Sequence, residues 1–525
     1  MLHNNLPDGP SQKSISKDHE DKDLEIELAS AQVELSEISA TLEATINKIQ
    51  YLKKCINIRD SPIIQKLPPE IIAEILKQSI SPFAPFDVTV DRFFPFKLAA
   101  VCALWRKTAL KTPALWTCIS ILVTKSNASS IVALLDLWLA RSGTVLPLSI
   151  RLMAADVEGW REFTPQDILQ ILGRHSTRWL DLDLFLPCGY SRFLPTGSNA
   201  LPRLSSLSIW PNEGQETAHE CLKIANAPRL THVALTSVHL LSVDIQWENV
   251  THLTLERFYM PDCLLLLRQT PQLVDGTFIN LLSKQLLPPD SPITLPVLKY
   301  LNIRSEMDDP SQLFRTIVIP KTTDFCYTSD TILNCLDVDN LVSLLSRSEC
   351  NLKTASFYCE GSEDVAVLVG LFRPLTRVNN LSLVAAKVRT PTDVVLVDDL
   401  LALFHSSHGI NCLLPSLEHL FYTGPYSFSW PVLLDILESR FEISPSLSPA
   451  QPSPKKSIEI VPIRRVELNL FGYTDPTALD TESLARFVKL IEKGLHIDVR
   501  TMSNRDLALS KAGWKKIPIW NWNKC

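Results

Sequence analysis

The chain has 525 residues, 46% of them hydrophobic and 21% charged, with a formal net charge of −6: room for several domains and a large core, and no overall attraction to nucleic acid or acidic lipid. No run of about 18 apolar residues predicts a membrane span, and the polar N-terminus lacks the apolar stretch of a secretory signal. Twelve cysteines without a C-x-x-C pair predict neither a zinc ribbon nor a disulfide framework, and so a reducing compartment, cytoplasmic or nuclear.

Residues 1–20 are polar and are expected to be disordered. Residues 21–60 predict an amphipathic or coiled-coil helix. Leu28, Leu35, Leu42 and Ile49 occupy one heptad position, and Leu24, Ala31, Ile38, Thr45 and Leu52 the other. The stripe across 24–52 predicts either weak self-association or a helix laid against its own protein. Ser61-Pro62 ends it.

Residues 62–120 form a second region, dense in apolar residues. Pro68 and Pro69 suit a first helical turn, where a missing N–H costs little, and Glu70 there faces the positive end of the helix dipole. Ile71, Ile72, Ile75 and Leu76 follow at helical spacing. A second stripe runs through Leu98, Val101, Cys102, Trp105 and Ala109, and Pro113 opens a third short helix closed by Leu115 and Trp116. Three short helices cannot bury two tryptophans and this many aliphatic residues among themselves. Part of that surface is expected to pack on the rest of the chain or on a partner.

The blocks Leu67-Pro68-Pro69-Glu70-Ile71, Val101-Cys102-Ala103-Leu104-Trp105-Arg106 and Pro113-Ala114-Leu115-Trp116 resemble, in type, order and spacing, the F-box of many fungal proteins. The resemblance implies docking onto the Skp adaptor of a Skp–cullin–F-box (SCF) ubiquitin ligase. The residues it carries over for that contact are Leu67, Pro68, Ile71, Ile75, Val101, Cys102, Trp105 and Trp116, with Ile75 and Trp116 also open to a core role. The chain departs from the family in the insert Ser81–Phe96, whose five phenylalanines can cover the docking face or extend it.

From about residue 140 to 510 a unit with apolar residues at i, i+3 and i+5 recurs. It appears as Trp179-Leu182-Leu184, Leu204-Leu207-Ile209, Leu230-Val233-Leu235, Val250-Leu253-Leu255, Leu298-Leu301-Ile303, Leu352-Ala355-Phe357, Val378-Leu381-Leu383, Leu417-Leu420-Tyr422 and Ile463-Val466-Leu468. Leu273 and Thr322 start poorer copies, and Val145 a first one. Most starts fall 20–30 residues apart, with gaps of 39 and 46 near the end. Pro202, Pro228, Pro271, Pro296 and Pro415 each precede the first apolar position by two residues, where a proline stops a helix and sets up an extended strand. Helical patterns lie between, at Leu264–Leu267, Val365–Phe372 and Val394–Phe404. The expected fold class is therefore an α/β solenoid: an N-terminal helix, a three-helix F-box, then an irregular leucine-rich-repeat horseshoe with a parallel sheet. Here too the resemblance is to divergent leucine-rich-repeat F-box proteins, although only the copy at Leu204 carries the asparagine (Asn212) common in such repeats.

On such a solenoid the positions i+2, i+4 and i+6 face outward. They nominate His232, His252, Tyr300, Arg304, His419, Phe421 and Arg465 for contact with a protein substrate, the alternative being a solvated face. Residues 443–462, rich in Pro and Ser, are expected to be a mobile loop with a candidate proline-directed phosphorylation site at Ser453. Residues 511–525, with three tryptophans among lysines, are read as a cap over the last repeat.

No G-x-G-x-x-G, G-x-x-x-x-G-K-[ST] or G-x-S-x-G occurs, and His405-x-x-His408 lacks an accompanying Cys or acidic pattern. No enzyme activity, cofactor, metal or nucleic acid is expected. The resemblance implies a substrate-recognition adaptor whose partners are the Skp adaptor, the cullin and an unidentified target. The alternative is a protein-binding scaffold using its F-box outside a ligase.

Overall fold

The computed structural model describes residues 12–60, 67–79, 94–124, 126–154, 166–186, 201–211, 222–224, 226–283, 291–306, 309–330, 335–359, 364–385, 396–441, 460–471 and 480–501. These residues divide into two compact units. One runs from the first helix to Trp116 and includes Arg141–Gly143; the other holds the remaining residues from Thr117 onward. Residues 80–93 of the phenylalanine-rich insert, Asn212, Ser453 with 443–459, and the 511–525 segment lie outside the described residues.

In the first unit, α1 spans Gln12–Asp60. It begins at residue 12, ahead of the predicted start at 21 and within the stretch expected to be disordered. Polar composition predicts disorder, but Lys17–Asp21 and Asp18–Lys22 also have the i, i+4 spacing that favours a helix. The described side chains from Leu24 to Arg59 are exposed, so the alternative of an arm laid against its own protein is not seen.

The short helices follow, as α2 (Pro69–Gln78), α3 (Phe94–Val101), α4 (Ala103–Lys111) and a 3₁₀ turn (Pro113–Trp116). The second predicted helix is thus broken in two at Cys102, which is extended (φ −156°, ψ 171°) and caps α4 by accepting the Trp105 N–H on its sulfur at 3.4 Å. Pro69 stands in the first turn of α2 as predicted; Pro68 instead caps it from outside, its carbonyl accepting the N–H groups of Ile71 and Ile72. Ile72, Leu76, Ala109, Leu115 and Trp116 form the core of this unit.

In the second unit fourteen strands form one parallel sheet in strict chain order. They are β1 (Cys118–Val123), β2 (Leu148–Ala154), β3 (Trp179–Leu186), β4 (Ser206–Pro211), β5 (His232–Thr236), β6 (His252–Glu256) and β7 (Asp275–Ile279). Then come β8 (Tyr300–Ser305), β9 (Asp324–Ser329), β10 (Thr354–Cys359), β11 (Asn380–Ala385), β12 (His419–Pro425), β13 (Arg465–Phe471) and β14 (His496–Thr501). The first and last strands do not pair, so the sheet stays open rather than closing into a barrel. Helices or 3₁₀ turns link many successive strands, among them α5 (Ala128–Arg141), α6 (Gln166–Arg174), α7 (Met260–Gln269), α8 (Ser311–Thr316) and α9 (Cys335–Ser348). Four more follow, α10 (Val365–Phe372), α11 (Asp398–Ala402), α12 (Trp430–Phe441) and α13 (Thr481–Glu492). Sequential parallel strands with helical returns make a solenoid-like α/β arrangement. Among the described residues no helix is long and apolar enough to cross a membrane.

The local cause of the repeat is a turn. Leu204, Leu230, Leu273, Leu298 and Leu417 donate their N–H groups to the carbonyls of Leu201, Ala227, Thr270, Leu295 and Leu414, at 3.0–3.4 Å. Pro202, Pro228, Pro271, Pro296 and Pro415 therefore sit second in each turn, where a fixed φ is favourable. Pro320 does the same before Thr322, which donates to Ile319, so that copy keeps the turn although a threonine stands at its first apolar position. After the turn the strand alternates. Leu182 and Leu184, Leu253 and Leu255, Leu301 and Ile303, and Leu381 and Leu383 point into the core. At the far end of β5, β6 and β7 the chain leaves the sheet through Ser237, Arg257 and Asn280, each with φ near +50°.

β1 also fits the i, i+3, i+5 pattern, as Trp116-Ile119-Ile121, but its first member is assigned to the F-box; β14 departs from it because Gly494 stands at the first position before Ile497 and Val499. Val394–Phe404 is predicted helical; among its described residues, 396–404, Asp398–Ala402 is an α-helix.

Candidate docking surfaces

In the first unit the predicted contact residues separate by exposure. Ile71, Ile75 and Val101 are 48%, 46% and 59% exposed, and Pro68 is exposed as well. Leu67, Cys102 and Trp105 are half-buried. Trp116 is fully buried: its indole N–H donates to the Ala109 carbonyl at 2.8 Å, and Phe96 meets its ring edge-on at 5.1 Å. The Arg141 guanidinium lies 4.8 Å from the centre of its ring. Trp116 is therefore core and offers no surface to a partner, which is the second of its two predicted roles; Ile75 is exposed rather than core. Leu110, 40% exposed, adds an apolar side chain that the motif does not mark. Ile71, Ile75, Val101 and Leu110 are thus large aliphatic side chains exposed on short helices.

In the second unit the strand register lines the outward positions into lateral rows. One runs Asp181, Ser206, His232, His252, Asp275, Tyr300, Asp324, Thr354, Asn380, His419 and Arg465. The next is made of small residues, including Ser208, Ala234, Thr254, Thr277, Asn302, Cys326, Ser356 and Ser382, before Phe421 and Glu467. The third holds Phe185, Trp210, Glu256, Arg304 and Tyr358. The substrate-contact residues nominated from the sequence all fall on these rows. Counting i+6 from Trp179, Leu204 and Leu352 also gives Phe185, Trp210 and Tyr358, which that selection passed over.

Charges along the rows are mostly answered locally. Arg465 pairs with Glu467 at 2.5 Å and Arg304 with Glu306 at 2.9 Å. Arg151, 5% exposed at its side chain, pairs with Asp183 at 2.6 Å. Burial still raises the Asp183 carboxyl above its ordinary range, outweighing the arginine that lowers it. His232 and His252 stack face to face at 4.1 Å, each ring nitrogen Nδ1 2.9 Å from the hydroxyl of the threonine before it. Burial first, and then the His252 charge, hold His232 below the usual histidine range, with Asp181 opposing. Burial raises Asp275, and His252 opposes that shift.

Nothing in this arrangement gathers ligands for a metal: among the described residues no group of three or more His, Cys, Asp or Glu is placed to hold one. His405 instead caps a 3₁₀ turn, its Nδ1 accepting the Ser407 N–H at 3.1 Å. Burial pushes the Cys118 and Cys350 thiols up to about 11, and raises Cys263 and Cys412 too, the opposite of an activated thiolate. The surfaces so built can hold a protein by apolar and hydrogen-bond contact. The chain matches no known family and no curated protein.

Proposed function

We propose that the chain is the substrate-recognition adaptor of an SCF-type ubiquitin ligase, with an F-box at residues 62–120 and irregular leucine-rich repeats across 140–510. The Skp adaptor docks on the helical unit through Pro68, Ile71, Ile75 and Val101, with Leu67, Cys102 and Trp105 at the edge of that face. A target protein binds the outward rows of the sheet, where His232, His252, Tyr300, Arg304, His419, Phe421 and Arg465 lie. Function follows from effective concentration: holding a target beside a ubiquitin-carrying enzyme raises their encounter rate with no chemistry in this chain.

The observation that carries the reading is the exposed aliphatic set Ile71, Ile75 and Val101 on short helices that bury Ile72, Leu76 and Leu98 on their other side. The test is co-purification of the Skp adaptor and cullin with the full chain. Leu67→Ala with Pro68→Ala, and separately Ile71→Asp with Val101→Asp, are expected to abolish it while the sheet unit keeps its unfolding transition. Undiminished recovery of the adaptor with either pair of substitutions refutes the reading. Recovery of the adaptor without cullin would establish a scaffold outside the ligase instead.

A further inference from the structure

We propose that α1 is a self-association element that pairs with the α1 of a second copy, antiparallel and centred near residue 40. The inference rests on α1 alone, not on the F-box reading. Along roughly 50 Å of helix, large apolar side chains stand in water. Leu24, Leu28, Leu35, Ile38, Leu42, Ile49, Leu52 and Ile56 are 46–65% exposed. They keep a heptad, in which Leu28, Leu35, Leu42, Ile49 and Ile56 take position a, and Leu24, Ala31, Ile38, Thr45 and Leu52 take d. A stripe with that period supercoils naturally against another helix. An isologous contact with a second copy would bury every member of it.

Packing and charge both select the antiparallel arrangement. In a parallel pair Ala31 would face Ala31 and Thr45 would face Thr45, leaving one thin layer and one hydroxyl pair. Antiparallel, each a residue meets a d residue of the second copy. Leu28 then meets Leu52, Ala31 meets Ile49, Leu35 meets Thr45, Ile38 meets Leu42, and Leu24 meets Ile56. Small residues face large ones, and all ten positions are used.

Charge is unevenly placed over the heptad-bearing span. Glu27, Glu34 and Glu37 lie before residue 40, and Lys48, Lys53 and Lys54 lie after it with Glu43, all exposed. In a parallel pair the flanking position of Lys48 sits across from Lys53 of the second copy, on both sides, and the like charges repel. Antiparallel, Glu34 sits across from Lys48, twice by symmetry. The helix dipoles also oppose each other favourably. Such a dimer would hold the two Asp60 ends about 60 Å apart, and so would present two copies of whatever the other residues bind.

The test is sedimentation equilibrium on the full chain, in a Cys55→Ser background. Wild type is expected to dimerise. Leu35→Glu with Leu42→Glu is expected to give a monomer with the sheet unit still folded. Glu34→Lys and Lys48→Glu should each weaken the dimer about tenfold, since two pairs change sign, and together they should restore it. Thr41→Cys is expected to cross-link under oxidation, because residue 41 lies beside its own symmetry mate only when the helices run antiparallel. A wild-type monomer at tens of micromolar overturns the proposal. So does a dimer that Lys48→Glu alone tightens, the parallel signature, or one in which Thr41→Cys does not cross-link.

Discussion

Arg440 lies on α12, is 0% exposed, and touches no carboxylate in any hydrogen bond or ion pair described for it. Its guanidinium instead makes five N–H···O contacts, of 2.8–3.3 Å, with the carbonyls of Leu414, Pro415, Leu417 and Val461. These carbonyls belong to the segments that lead into β12 and β13, so a single side chain holds two neighbouring strand entries. Burial pushes its pKa down to about 10, a penalty on the charged form of roughly 3 kcal/mol. Charge-assisted hydrogen bonds contribute about 1.5–3 kcal/mol each. Nη2 shares its two N–H groups among three of these contacts, so four N–H groups are engaged; even at the lower figure they outweigh the burial cost by about 3 kcal/mol. Arg440→Met keeps most of the stem volume, so the cavity contribution is small and the lost bonds dominate. It should cost about 3 kcal/mol, and Arg440→Lys about 2, since an ammonium lacks the planar fork. Equilibrium unfolding in urea, followed by tryptophan fluorescence, measures both. A midpoint for Arg440→Met at or above wild type would show that the buried charge costs more than its bonds return.

Two further outcomes are expected. A Cβ at Gly424 would sit 2.6 Å from Cζ of Tyr422, a fully buried ring whose hydroxyl donates to the Pro425 carbonyl at 2.8 Å. Gly424→Ala should therefore lower stability by about 1–3 kcal/mol, and an unchanged urea midpoint would count against that packing. His232 has a folded pKa below its unfolded value, so the unfolded chain binds the extra proton and stability rises with pH through that interval, up to about 6.5. The stability lost on acidification from pH 7 toward 5 should shrink in His232→Gln; an unaltered pH profile would remove His232 as its source.

Much of the second unit was legible in the sequence because its determinants are local. A turn proline followed by apolar residues at i, i+3 and i+5 fixes where a strand starts and which side chains face inward, all within about eight residues. The outward rows follow from the same count, and Trp210 and Tyr358 were in reach of it. In the first unit the motif marks which residues are apolar but not which of them are covered. Ile75 and Trp116 look alike in the sequence. Trp116 is core because Ala109, Phe96 and Arg141 close around it, and Ile75 is exposed because no described neighbour does the same.

The sequence by itself determined most of the strand starts, the heptad of α1 and the proline that opens α2, since each depends on backbone preferences and spacing along one stretch of chain. Only the tertiary structure decided which strands are neighbours, that His232 stacks on His252, and that Arg440 is buried against backbone carbonyls. Those facts depend on residues 20 or more positions apart. Burial and the pKa shifts that follow from it are properties of the surroundings, and the surroundings exist only once the strands have stacked.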